Sequence, residues 1–189
     1  MTLSANTALL ADSAALLVLT HLGASDAAAQ VRAELGPVLA YAPVIIPRLV
    51  CRDPAAAIDF YVSTFDAVER LRRPAADGTV AHAMMTIGPA MLMIEAEWPT
   101  LTSRAPKPDG SSPVVMYVYV PDVDRTVDRA IAAGAELLIP VQNQFWGDRT
   151  AWIMDPSGHV WTIASRIEAT SEQERKDRWS GILADQDRG

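Results

Sequence analysis

The sequence repeats one pattern twice, about seventy residues apart when counted from Asp53 to Asp122. In each copy an apolar run ends in an aspartate, over residues 44–53 and 114–122, and apolar residues at helical spacing follow. Each copy then continues into short strands, which predicts the unit βαβββ twice. Two copies are too few for a solenoid, so we expect a duplicated module whose halves cover one another around a cavity.

Composition limits the classes of protein to which the chain can belong. Its 189 residues are 50% hydrophobic, enough for a substantial core. The single Cys51 cannot form an intramolecular disulfide, which favours a cytoplasmic location. A formal charge of −7 argues against a nucleic-acid partner. The N-terminus has no positive segment and Asp12 interrupts its apolar run, so we expect neither a signal peptide nor a membrane span.

The chain divides into three regions that differ in amino-acid composition. Residues 1–43 are rich in Ala and Leu and are predicted as an N-terminal helical extension, with residues 8–22 buried against the core or a second subunit. Residues 44–167 contain the two modules, about 44–103 and 113–167, joined by a linker rich in Pro, Gly and Ser. Residues 168–189 form a polar tail whose helix begins with a capping-box pattern at Ser171. Because the apolar extension would be awkwardly exposed in a monomer, we expect a homodimer.

Turn residues divide the modules into strands. Gly88-Pro89 separates the predicted strands 80–87 and 91–97, and residues 155–158, Asp-Pro-Ser-Gly, precede a strand over 159–165. The two modules together are predicted to contain eight strands and two principal helices. The predicted class is therefore α+β.

Several short motifs carry a family resemblance when they are taken in order. Asp53 and Asp122 follow the matched first strands. Residues 57–61 are Ala-Ile-Asp-Phe-Tyr, and residues 155–161 are Asp-Pro-Ser-Gly-His-Val-Trp. Together these features resemble the vicinal oxygen chelate superfamily of glyoxalases, extradiol dioxygenases and bleomycin-resistance proteins. Residues 145–149 and 161–164 are similar, more narrowly, to its PhnB-like branch. The resemblance covers roughly residues 44–167 and implies paired βαβββ modules that form curved mixed sheets around a cavity.

The resemblance also implies where a metal would bind. Counted from the motifs, the inherited ligand places fall on Ile46, Val115 and Thr162, with only Glu95 or Glu97 near the remaining one. Aliphatic side chains cannot coordinate a cation, and threonine is a poor substitute for a carboxylate. The three histidines, His21, His82 and His159, are scattered along the chain. We therefore predict no bound metal and no other cofactor.

Aromatic residues dominate the predicted cavity. Strand alternation places Val115, Tyr117 and Tyr119 on one face, so that the tyrosines line the cavity if that face is the concave one. The tryptophans that are candidates for its walls are Trp98, Trp146, Trp152 and Trp161. The alternative is that most of them are ordinary core residues. Their number favours a flat, apolar small-molecule ligand.

The candidate polar site residues are Arg48, His82, Glu95, Glu97, Asp148 and Arg149. A two-residue hairpin at Gly88-Pro89 would pair His82 with Glu95, so that the imidazole is either a poised acid or base or a structural histidine. Asp148 and Arg149 are expected at a loop mouth, where Arg149 either binds a substrate oxyanion or forms a local ion pair.

Two classes of function remain open. In the first, the protein is a metal-independent enzyme that uses His82, Glu95 and Arg149 for isomerisation, elimination or cyclisation of a small molecule. In the second, it is a binding protein that sequesters a drug or metabolite, as the bleomycin-resistance resemblance implies. A metal-dependent lyase or dioxygenase is the least favoured alternative. A buried His82 beside a carboxylate inside the pocket favours catalysis, whereas an exposed His82 on the outer face favours binding.

Overall fold

The repeated pattern corresponds to two units of the same topology. The computed structural model describes residues 45–98, 103–107 and 112–186, and the predicted N-terminal helices lie outside them. The chain divides into two compact units, Met1–Pro106 and Lys107–Gly189. Within the described residues there are eight strands and three helices.

The first unit contains one helix and a four-stranded sheet. Its elements are β1 (Arg48–Cys51), α1 (Pro54–Phe65), β2 (Val68–Pro74), β3 (Val80–Ile87) and β4 (Ala90–Ala96). The strand order is β1-β4-β3-β2, in which β1 runs parallel to β4 and the other pairs are antiparallel. The parallel pair places the start of the module beside its last strand.

The second unit repeats this topology and adds a helix at its end. Its elements are β5 (Val115–Tyr119), α2 (Val123–Ala132), β6 (Glu136–Asn143), β7 (Asp148–Met154), β8 (Val160–Arg166) and α3 (Glu172–Gln186). The order is β5-β8-β7-β6, again with one parallel pair at the edge. The predicted α+β class, with two βαβββ modules and mixed sheets, is confirmed.

The two repeated aspartates cap the two module helices. The Asp53 carboxylate accepts a hydrogen bond from the backbone N of Ala56 (3.1 Å), and Asp122 accepts one from the backbone N of Arg125 (3.0 Å). Such caps satisfy amides that the first helical turn leaves unpaired, and each contributes about 0.5–2 kcal/mol. The aspartates thus mark the point in each module where a strand ends and a helix begins.

α1 packs on the first sheet and carries three buried aromatic side chains. Phe60, Tyr61 and Phe65 are buried, with ring centroids 5.5 Å apart for Phe60 and Tyr61 and 6.3 Å apart for Tyr61 and Phe65. Burying a large apolar side chain contributes about 1.5–3 kcal/mol. This helix therefore fixes one face of the first sheet as core.

The turn before β8 is organised by a buried carboxylate. Asp155 Oδ1 accepts hydrogen bonds from the backbone N of Ser157 and of His159, each 2.9 Å long. Its Oδ2 accepts one from the indole of Trp161 (3.0 Å) and lies 3.5 Å from His159 Nδ1. Since Trp161 is buried in this arrangement, it belongs to the core of the second unit and is not a cavity wall.

The C-terminal helix α3 begins as its sequence predicts. The Glu174 carboxylate accepts hydrogen bonds from the backbone N and the hydroxyl of Ser171, while the backbone N of Glu174 donates to that hydroxyl, forming a capping box. Most of its side chains are exposed. No helix within the described residues is long and apolar enough to cross a membrane.

Candidate functional site

The second sheet carries a cavity on the face opposite α2. Cross-strand pairing aligns Tyr117, Thr162 and Trp152 on β5, β8 and β7, so their side chains share one face. A cavity of about 430 Å³ opens there, lined by Val115, Tyr117, Ile139, Gln142, Gln144, Trp146, Thr150, Trp152 and Thr162. This volume lies within the range of small-molecule sites.

The lining combines aromatic rings with uncharged polar groups. Tyr117, Trp146 and Trp152 supply the rings, and no carboxylate or basic side chain is among the described lining residues. The polar side chains are threonines and glutamines, of which Gln144 Nε2 donates a hydrogen bond to Thr150 Oγ1 (2.8 Å). Such a surface suits a flat, uncharged ligand with hydrogen-bonding edges.

A buried carboxylate next to the cavity organises its aromatic wall. Asp148 is fully buried, and its Oδ2 accepts hydrogen bonds from Tyr117 Oη (3.1 Å), Tyr119 Oη (2.8 Å) and Trp146 Nε1 (2.9 Å). Arg166 Nε lies 2.7 Å from Oδ1 as an ion pair. The predicted loop-mouth residue Asp148 is therefore an internal acceptor that holds three rings in place, of which Tyr117 and Trp146 line the cavity and Tyr119, predicted to line it, does not.

The turn that presents Trp146 requires a glycine. Gly147 has a φ of 91°, and a Cβ on it would lie 2.5 Å from the carbonyl oxygen of Glu168. The Gly147 carbonyl accepts hydrogen bonds from the backbone N of Ile167 and of Glu168, both 3.0 Å long. Because the two chain segments approach so closely, only a residue without a side chain fits here.

The buried carboxylate also changes the acidity of a cavity tyrosine. Burial, followed by the negative charge of Asp148, raises the pKa of Tyr117 to about 12. At neutral pH the Tyr117 hydroxyl is therefore a hydrogen-bond donor and not a base.

Arg149 faces away from the cavity. Its side chain lies on the other face of β7, where Nε and Nη2 donate to the two carboxylate oxygens of Asp124 at 2.8 and 2.7 Å and Nη1 donates to Asn143 Oδ1 (2.9 Å). Successive strand residues point to opposite faces, which separates Arg149 from Asp148. Arg149 therefore forms a structural ion pair, as the second alternative expected, but its partner is Asp124 on α2, 25 residues away, and the pair does not lie within the loop.

In the first unit, three predicted site residues form a cluster. The Gly88-Pro89 turn pairs His82 with Glu95, as the predicted register requires, and His82 Nδ1 lies 3.3 Å from Glu95 Oε1. Arg48 Nε donates to Glu95 Oε2 (2.5 Å). The His82 ring is fully buried, and in the described part of the chain neither of its nitrogens has a well-aligned hydrogen bond.

The ionisation of Glu95 depends on its two neighbours. Burial acts to raise the pKa of Glu95, but the close approach of His82 and the pairing with Arg48 outweigh it, so that the pKa lies below its ordinary value. Glu95 is thus a carboxylate at neutral pH. His82 is buried beside this carboxylate, as the catalytic alternative requires, but it is not among the residues that line the second-unit cavity.

Glu97 and Trp98 have local partners at the end of the first sheet. Glu97 Oε1 accepts a hydrogen bond from the backbone N of Ala105 (3.0 Å). Trp98 pairs with Ser103 through an isolated bridge, and its carbonyl accepts a hydrogen bond from Arg104 Nη1 (3.1 Å). These contacts join residues 97–98, which follow β4, to residues 103–105. Neither Glu97 nor Trp98 lines the second-unit cavity.

The residues at the inherited metal places do not suit a metal ion. Ile46 packs against a cluster of buried methionines, while Val115 and Thr162 line the cavity. Among the described residues, no group of three His, Cys, Asp or Glu side chains is placed to hold a cation. The donor set therefore does not fit a divalent ion.

Several site residues do not follow from the sequence interpretation. Arg166 pairs with Asp148, and Ile139, Gln142, Gln144 and Thr150 complete the cavity lining. Alternation along β7 and β8 is the signal for Thr150 and Arg166, which occupy the same face as Trp152 and Thr162. No comparable signal marks the β6 residues, because two register shifts interrupt the pairing of β6 with β7.

Known proteins are similar to this chain in sequence and in fold. The sequence matches the profile of the Glyoxalase/Bleomycin resistance protein/Dioxygenase superfamily over residues 41–163. An uncharacterized protein of Mycobacterium tuberculosis is 38% identical over 135 residues, covering 70% of this chain and 79% of that protein.

Among solved structures, TioX from Micromonospora sp. ML1 has 31% identity and a TM-score of 0.53, covering 67% of this chain and 100% of its own. The fosfomycin resistance protein FosX from Listeria monocytogenes has 17% identity and a TM-score of 0.50, covering 71% and 98%, a likeness of fold alone.

Membership of the narrower PhnB-like branch stays a prediction. The family itself follows from the length of the profile match, the relative above 30% identity and the two βαβββ modules. The chain belongs to the Glyoxalase/Bleomycin resistance protein/Dioxygenase superfamily.

Proposed function

We propose that this protein binds and sequesters a flat, uncharged aromatic molecule in the cavity of its second unit. The observation that carries the proposal is the lining itself, in which Tyr117, Trp146 and Trp152 surround about 430 Å³ together with uncharged polar side chains. Aromatic faces favour planar partners, and the threonine and glutamine groups supply hydrogen bonds at the ligand's edge.

The polar groups beside the cavity serve binding better than acid or base chemistry. Asp148 Oδ2 already accepts three hydrogen bonds, and Oδ1 faces Arg166, so this carboxylate is not available to take a proton from a ligand. Tyr117, whose pKa is about 12, keeps its proton at neutral pH. Binding in the cavity then needs no chemical step.

The test is a fluorescence titration with a defined probe, the neutral aromatic amine phenylnaphthylamine. We expect saturable binding that quenches tryptophan fluorescence and that is about 2- to 13-fold weaker in Trp152→Ala, because one aromatic stacking contact contributes roughly 0.5–1.5 kcal/mol. Trp152→Phe keeps a flat face and should lose less.

Trp98→Phe is the matched control, since this tryptophan lies after β4 in the first unit and does not line the cavity. Equal probe affinity in wild type, Trp152→Ala and Trp152→Phe would show that the cavity is not the binding site. Mass spectrometry of ligands that copurify with the wild type but not with Trp152→Ala would identify the natural ligand class.

The second candidate function is metal-independent acid–base catalysis by His82. One observation favours it: the His82 imidazole is fully buried, with Nδ1 3.3 Å from Glu95 Oε1, while Nε2 of the same ring makes no hydrogen bond within the described residues. A carboxylate that orients an imidazole fixes which ring nitrogen carries the proton, as in many general-base pairs.

The two candidates differ in what His82→Ala does. If His82 is a general base, a ligand identified by copurification should be converted by the wild type and about a hundredfold more slowly by His82→Ala. If the protein sequesters, the ligand's mass stays unchanged after incubation with the wild type, and His82→Ala retains its affinity.

A further inference from the structure

A second aromatic recess lies outside the cavity, where α3 packs on the turn between β6 and β7. It has a volume of about 630 Å³ and is lined by Phe145, Trp146, Trp179, Glu172, Arg175 and Lys176. We call this recess the outer groove. Only Trp146 is common to the groove and the cavity, so the two are separate surfaces on either side of one indole.

The groove presents a cluster of three aromatic rings, packed edge-to-face and tilted, to solvent. The Phe145 ring lies 5.2 Å from the Trp179 ring at an interplanar angle of 33°, and 4.9 Å from the Trp146 ring at 90°. Trp179 remains 46% exposed on a helix that is otherwise mostly polar. An indole held half open beside two other rings offers a flat partner a face on which to stack.

The rim of the groove carries a surplus of positive charge. Arg175 and Lys176 supply two cations and Glu172 one anion, which leaves a net charge of +1. Lys176 pairs with Glu172 at 2.8 Å, whereas Arg175 Nη1 donates to the backbone carbonyl and hydroxyl of Thr170. Arg175 therefore keeps its full charge beside the rings, with no carboxylate among its contacts in the described residues.

The walls are held in place before any ligand arrives. Arg178 donates to both carboxylate oxygens of Glu168 and to the carbonyl of Phe145 (3.2 Å). Thr170 Oγ1 donates to the carbonyl of Trp146 (2.9 Å). Because α3 is tied to the turn at these points, stacking in the groove requires little ordering of the protein.

We propose that the outer groove is a second binding site, which takes a flat aromatic anion such as an aromatic carboxylate or sulfonate. The rings of Phe145 and Trp179 stack on the ligand, and Arg175 and Lys176 hold its charge. The cavity, which lacks charged lining residues, takes the neutral ligand of the proposed function. The two sites thus differ in the charge of what they bind.

The experiment compares two probes of similar shape, anilinonaphthalenesulfonate and the neutral phenylnaphthylamine. We expect the sulfonate to bind the wild type saturably, and Trp179→Ala to weaken this binding about tenfold, while Trp179→Phe retains most of it. Arg175→Gln should weaken the sulfonate several-fold but leave the affinity for the neutral probe unchanged, and added salt should have the same selective effect.

Substitutions at these half-exposed helix positions spare the core, and circular dichroism will verify the fold of each variant. Sulfonate binding that is unchanged in both Trp179→Ala and Arg175→Gln, or that is abolished by Trp152→Ala instead, would overturn the proposal. Failure of the cavity proposal gives a different result, because Trp152→Ala then leaves the neutral probe unaffected while Trp179→Ala still weakens the sulfonate.

Discussion

Replacing Asp148 with asparagine should destabilise the protein more than any single surface ion pair can. The substitution keeps the size of the side chain and one acceptor oxygen, but it removes the negative charge that Tyr117, Tyr119, Trp146 and Arg166 share. The energetic effect therefore reports the charge itself and not a loss of packing.

The size of the effect follows from the exposure of the donors. A hydrogen bond to a charged group contributes about 1.5–3 kcal/mol, but Tyr117 and Tyr119 are 47% and 56% exposed and can turn to water. The Arg166 side chain is 50% exposed, so solvent screens its ion pair with Asp148 strongly. We expect Asp148→Asn to lower the free energy of unfolding by about 2–3 kcal/mol, or the Tm by ~4–12 °C for a chain of this size.

The assay is urea unfolding followed by circular dichroism, with Asp124→Asn as the matched control. Asp124 pairs with Arg149, but its side chain is 56% exposed, so its loss should destabilise the fold much less than the loss of the Asp148 charge. Equal losses in the two variants would refute the view that the buried carboxylate organises the aromatic wall.

Four further predictions concern ionisation, assembly and metals. Tyr117 should ionise near pH 12, and at a lower pH in Asp148→Asn, when ionisation is followed by ultraviolet absorbance. Because the raised pKa favours the protonated tyrosine in the folded protein, this group stabilises the fold fully below about pH 10, and the contribution is lost as the pH rises towards 12. Glu95 has a lowered pKa, so its ionised form stabilises the fold above the ordinary glutamate pKa of about 4.3, and this stabilisation is lost as the pH falls through the lower pKa of the folded state. The wild type should therefore be more stable than Glu95→Gln at neutral pH, and this difference should disappear at acid pH. Light scattering should give the mass of a homodimer, and a monomer mass at all concentrations would count against it. Binding of the neutral probe should survive EDTA, and stoichiometric metal in elemental analysis would contradict the prediction that no metal is bound.

Much of the fold was predictable because its signals are local. Asp53 and Asp122 each follow an apolar run and cap the next helix through a residue three positions later. The Gly88-Pro89 turn sets the pairing of His82 with Glu95 because a two-residue hairpin allows one register. Each of these features depends on residues close together in the sequence.

The candidate site was less predictable because its contacts join distant residues. Arg149, which follows Asp148 directly, was expected beside it at the loop mouth, yet the arginine that pairs with Asp148 is Arg166, on the neighbouring strand. Trp179 lies in the segment that the sequence predicts as a polar tail, yet α3 places its ring 5.2 Å from the ring of Phe145. Nothing in the local pattern identifies these partners.

The sequence by itself determined the order of strands and helices, their caps and turns, and which residues alternate onto a common face of each strand. Only the tertiary structure decided which face of the second sheet α2 covers and which remains open as a cavity, and it thereby placed Tyr117 and Trp152 in the cavity and Arg149 on the side of α2. The physical reason is that period-two alternation gives two equivalent faces, and the choice between them depends on where a helix from elsewhere in the chain packs.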